Sequence, residues 1–108
     1  MAETFKNVRT VLNDTATDVY TVPAATTAIV IGCQVANVGS TNNELDFWWT
    51  DSSAADAVTY LGEQINIPES AAYEPIGGKL VLEAGDKLRG LSETDDELEV
   101  TVSVLEIS

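Results

Sequence analysis

The segment from Glu97 to Ser108, ELEVTVSVLEIS, alternates apolar and polar residues with a period of two. A β-strand sends successive side chains to opposite faces, whereas a helix brings every third or fourth residue together, so this pattern specifies a strand. Leu98, Val100, Val102 and Val104 fall on one face, and Glu97, Glu99, Thr101 and Ser103 on the other. One face belongs to a core and one to water. After Val104 the apolar residues shift parity to Leu105 and Ile107, which predicts a bulge or a strand end that meets a second surface.

The same grammar recurs upstream. TTAIVIGCQVANV predicts a central strand with Ile29, Ile31, Cys33 and Val35 on its core face and Ala28, Gly32, Gln34 and Ala36 opposite. ELDFWWTD puts Leu45, Phe47 and Trp49 on one face and Glu44, Asp46, Trp48 and Thr50 on the other, with Gly39–Asn43 read as a hairpin loop. Trp48 is thereby expected to point away from the core. Further strands are expected over Phe5–Leu12, Asp18–Val22, Val58–Ile67, Lys79–Glu83 and Lys87–Leu91, separated by Pro23, Pro68, Pro75, Gly77-Gly78 and Gly85-Asp86. Helical periodicity is never sustained for three turns, although SSAADAVTYL can make a single turn before its strand.

About eight short strands without crossover helices predict an all-β fold, a two-sheet antiparallel β-sandwich of jelly-roll or immunoglobulin-like form. The 108 residues suit a single domain spanning 1–108, with residues 1–4 a possible N-terminal arm. The one cysteine, Cys33, excludes an internal disulfide, and its apolar strand makes it a core thiol. No export signal or membrane span is evident, and synthesis in a cytoplasm follows as the expectation. Asn13-Asp14-Thr15 is accordingly read as a turn rather than a glycosylation site.

Charge narrows the function classes. Eighteen acidic residues against five basic ones give a net charge of -13, a field that repels phosphate backbones and anionic lipids. Neither nucleic acid nor membrane is an expected partner. The chain contains no histidine, the side chain best suited to proton transfer near neutral pH, so no catalytic residue is assigned and an enzyme is not expected. A carboxylate pair drawn from Glu44, Asp46, Asp51 and Glu63 would suit glycoside hydrolysis only at a defined spacing, and so small a chain offers little room for a deep cleft. The acidic run from Glu93 to Glu97, continuing to Glu99, has no EF-hand spacing and is read as a charged hairpin tip; no metal or cofactor is expected. The Gly77-Gly78-Lys79 and Gly85-Asp86-Lys87 stretches lack a following helix and are turns, not phosphate loops. Trp48 on a polar face is a candidate interface anchor, and together with Tyr20, Tyr60 and Tyr73 it sustains a carbohydrate-binding alternative.

Three segments, VYTVPAATTAIVIGCQVANV (Val19–Val38), IPESAAYEPIGGKLVLEAGDKLRG (Ile67–Gly90) and VTVSVLEIS (Val100–Ser108), resemble small β-sandwich virion structural proteins of tailed bacteriophages, particularly those of marine bacteria and cyanobacteria. The likeness covers about the last four-fifths of the chain, and its motifs form strands and turns rather than a catalytic site. It implies repeated copies of a sandwich attached to a capsid, neck, tail or fibre of a virion. The expected role is a capsid decoration or cement protein, with a neck, tail or fibre component as the alternative. A homotrimer is expected to bind other virion proteins, with Phe5, Val8 and Trp48 as the candidate interface.

Overall fold

The computed structural model describes residues 2–108 and is built almost entirely of strands. In chain order they are β1 (Glu3–Val11), β2 (Thr17–Thr21), β3 (Thr27–Asn37), β4 (Asn43–Asp51), β5 (Ala57–Ile67), β6 (Ala72–Tyr73), β7 (Leu80–Leu82), β8 (Lys87–Ser92) and β9 (Leu98–Ile107). The two-residue β6 is the strand missing from the sequence expectation, because two residues are too short to show a period. One 3-10 turn, Ser52–Ala54, sits where the single helical turn was expected, and the Asp51 carboxylate accepts from Ser53 N at its start.

Two antiparallel sheets pack face to face. The first has the order β1-β9-β3-β6, with β7 also pairing to β3; the second has the order β2-β8-β4-β5. Apart from the β4–β5 hairpin and the β6–β7 pair, the chain changes sheets at every connection, and the first strand lies beside the last. This is the strand order of a jelly roll, which selects between the two sandwich forms. It also corrects two turn readings. Gly39–Asn43 joins strands of different sheets, and so does the acidic run from Glu93 to Glu97; neither is a hairpin loop. Buried amides hold these crossings. Asn37 Nδ2 donates to the Thr41 and Ile67 carbonyls, and Asn43 exchanges bonds with the backbone of Thr94.

The core lies between the sheets. Leu98, Val100, Val102 and Val104 of β9 are all buried there, as alternation requires. Strand β3 departs from its expected parity: Ala28 and Val30 are buried, Ile29 is only half-buried and Ile31 is 43% exposed. The register explains this. Val30 pairs with Val104 and Gly32 with Ser103, so Ile31 is an extra residue, and the bulge flips the strand before Cys33 and Val35 return to the core. The parity slip at the end of β9 has a different origin. Its pairing with β1 runs unbroken to Ile107, so Leu105 and Ile107 face outward while Glu106 occupies the inner side.

Candidate interaction surfaces

The three residues proposed as one interface lie in three different environments. Phe5 is on the outer face of β1 and 73% exposed, whereas Val8 points inward and packs against the core. Trp48 does face away from the core, on the outer side of the second sheet, but it is only 7% exposed. The expected exposed aromatic is therefore corrected. Its flanking strands cover it: Tyr60 and Arg89 are its direct register partners, the Tyr60 ring lies 5.6 Å away and the Arg89 guanidinium lies 6.0 Å from the indole centroid. Arg89 Nε in turn donates to Asp18 Oδ1 at 2.6 Å, completing a row Asp18–Arg89–Trp48–Tyr60 across all four strands.

The aromatic residues of the carbohydrate alternative are likewise dispersed. Tyr20 is buried between the sheets, and its hydroxyl donates to Glu106 Oε2 at 2.5 Å. Tyr73 belongs to the sheet opposite Trp48 and Tyr60. No shared platform is formed.

A surface that strand-by-strand reading does not show is assembled on the outer face of the first sheet. Phe5 pairs with Leu105, Leu105 with Ile29 and Ile29 with Val81, so four apolar side chains from β1, β9, β3 and β7 stand in one row. Val81 is 60% exposed, and the bulge places Ile31 beside this row. Only the shifted parity of Leu105 and Ile107 signals the row in the sequence; the rest depends on which strands become neighbours.

The chemistry available to other groups is limited by what already holds them. Asp51, Glu83 and Asp86 bring carboxylate oxygens within 4.8 Å of one another, the set best placed among the described residues to hold a cation. Asp86 is buried, but its Oδ1 accepts from Ser52 N and Oγ, and its Oδ2 accepts from Glu83 N. Asp51 Oδ1 likewise accepts from Ser53 N and Oγ. These oxygens brace a turn. Asp46 Oδ1 accepts from Gln64 N at 2.6 Å and so supports the irregular β4–β5 register. Cys33 is buried as expected; desolvation, with a smaller contribution from the Glu74 charge, pushes its thiol up to about 12, so the nucleophilic thiolate is suppressed. A groove of about 370 Å³ runs along β1 and β9, lined by Arg9, Val11, Glu99 and Thr101 among others. No helix of the described residues is long and apolar enough to cross a membrane.

No protein-family model matches the chain, and no curated protein matches it. Solved structures share its fold. One is a chain from the disulfide-linked pili of Bacillus endospore appendages, 9% identical with a TM-score of 0.57, matched over 97% of this chain and 84% of that one. Another is a chain from the acid-stable capsid of the Helicobacter pylori bacteriophage KHP30, 8% identical with a TM-score of 0.57, matched over 100% and 94%. The protein thus shares a β fold with a phage capsid structure and with a bacterial pilus.

Proposed function

We propose that the protein is a virion structural protein of a tailed bacteriophage, acting on the capsid as a decoration or cement protein and not as an enzyme. The observation that carries this reading is the outward-facing apolar row Phe5–Leu105–Ile29–Val81, exposed at Phe5 and Val81, on an otherwise strongly acidic chain. Charge of one sign keeps copies apart in dilute solution, and an apolar row offers area to bury when a complementary protein surface meets it. The likeness to phage virion proteins and the fold shared with a phage capsid chain support the same reading. An acidic surface also suits the outside of a particle better than contact with packaged DNA. The function is adhesion by buried area, through an oligomer expected to be a trimer.

The test is particle incorporation. Purified particles should contain the protein at fixed copy number on the capsid surface, located by particle imaging. Val81→Asp, which puts a charge into the row while leaving the core untouched, should lower incorporation at least tenfold. Absence of the protein from purified particles would overturn the virion reading, and location at the neck, tail or fibre would overturn the capsid role. Unaltered incorporation of the variant would overturn the row as the contact.

A further inference from the structure

Of the two long strands at sheet edges, β1 and β5, the less covered is β1. It pairs with β9 alone, in an unbroken antiparallel register from Glu3↔Ile107 to Val11↔Glu99, and the backbones of Ala2 and Ser108 exchange bonds beyond it. None of its residues is buried: Glu3 to Asn7 are exposed on both faces, and only Val8 and Thr10 are half-covered. Its attachment is therefore a hydrogen-bonded ladder with little apolar burial behind it, the condition for opening at low cost.

Where β1 ends, the chain is fastened. Leu12 is fully buried in the core, its N–H donates to the Leu98 carbonyl and its own carbonyl accepts from Asp96 N. Asn13 O accepts from Ser92 N, and Asp14 N donates to Asp95 Oδ1. Between Val11 and Leu12 the chain passes from an exposed strand to a fixed anchor, which makes that link the pivot.

Charge identifies what takes the place of β1 on the β9 edge. Residues 1–11 carry Glu3 against Lys6 and Arg9, a net +1, and the remainder of the chain therefore carries -14. Strand β9 contributes Glu99 and Glu106 and no base. The Lys6 ammonium lies 3.2 Å from Glu106 Oε1, and Arg9 shares a groove with Glu99. Two strands of the chain are basic, β1 and β8; β8 is held between β2 and β4 in the other sheet, so the basic strand free to pair with an acidic β9 edge is β1, whichever copy supplies it.

We propose that β1 is an exchangeable strand and that, in the assembled protein, Ala2–Val11 of one copy pairs with β9 of a second copy. The exchanged and unexchanged ladders make the same bonds, so local concentration decides between them, and the close approach of copies in an assembly favours exchange. Exchange also carries Phe5 onto the neighbour's Leu105, joining the apolar rows of two copies. The inference rests on the self-assembly part of the proposed function and not on the virion part.

The test uses the full chain with Asn7→Cys and Ser103→Cys, a directly paired outward-facing couple, in a Cys33→Ala background. The protein is oxidised after assembly, and native mass is compared with denaturing non-reducing electrophoresis. Disulfides that link chains, giving the same multimer by both methods, are the expected result. The same native multimer with disulfides only within chains would overturn exchange and leave assembly standing. A monomer by both methods at every concentration would overturn exchange and self-assembly together. Amide hydrogen exchange on the unaltered protein provides a check independent of the cysteines: the amides bonded between β1 and β9 should exchange at least tenfold faster than those between β3 and β9, and equal protection would overturn the peeling strand.

Discussion

At the scale of single residues, the polar groups enclosed by the sandwich set the sharpest expectations. Thr50 Oγ1 is buried without a hydrogen-bond partner, alone in this among the buried side-chain atoms of the described residues. An unpaired buried hydroxyl costs free energy that a methyl of the same shape does not. Thr50→Val is expected to raise stability by about 1 kcal/mol, measured by urea denaturation; a loss of stability would show that the hydroxyl has a partner. Glu106 is the opposite case. The bond donated by Tyr20, with a smaller contribution from Lys6, holds its carboxyl below the usual carboxylate range although desolvation acts the other way. The Tyr20 hydroxyl is pushed up, chiefly by desolvation and then by this bond. A lowered carboxyl stabilises the fold fully above its unfolded value of about 4.3 and loses that contribution as pH falls through the folded value. Relative to Glu106→Gln, the native protein should keep a constant stability advantage between about pH 6 and 8 and lose it below about pH 4, read from urea midpoints across that range.

At the scale of elements, packing between strands decides what a position tolerates. Gly90 in β8 faces the core, and a Cβ there would stand 3.0 Å from Phe47 Cδ1, 3.2 Å from the Asp46 carbonyl oxygen and 3.3 Å from Leu12 Cδ1. One of these neighbours is backbone and Phe47 is fully buried, so the crowding has little room to relax. Gly90→Ala should cost about 1–3 kcal/mol despite its gain in strand propensity, as measured by thermal unfolding. Gly32, whose Cβ would meet nothing within 4 Å, provides the contrast: Gly32→Ala is expected to leave stability unchanged or raise it slightly.

At the scale of the whole molecule, the net charge of -13 opposes every contact between copies. Raising ionic strength from about 0.01 to 0.15 M shortens the screening length from about 30 to 8 Å, which weakens that repulsion while leaving apolar burial intact. Self-association measured by sedimentation should therefore strengthen over this range. Weakening with added salt would show instead that ion pairs, such as Lys6 with Glu106, dominate the contact.

What the sequence determined by itself is what depends on neighbours along the chain. Alternation identified β9, β4 and the pairing of two half-buried sheets, turn residues separated the strands, and the apolar setting of Cys33 marked it as core. Tertiary structure decided everything that depends on a partner strand. The bulge at Ile31 exists only against β9, and it reversed the expected face of half of β3. Trp48 was placed outward correctly, yet its burial required Tyr60 and Arg89 from strands on either side. Gly39–Asn43 has the composition of a hairpin and performs a crossing between sheets, because a polar turn serves either route and distant pairing selects one. The apolar row and the weakly held β1 follow from that same selection: pairing sets which side chains share a face, and the position of β1 at a sheet edge leaves both of its faces largely uncovered.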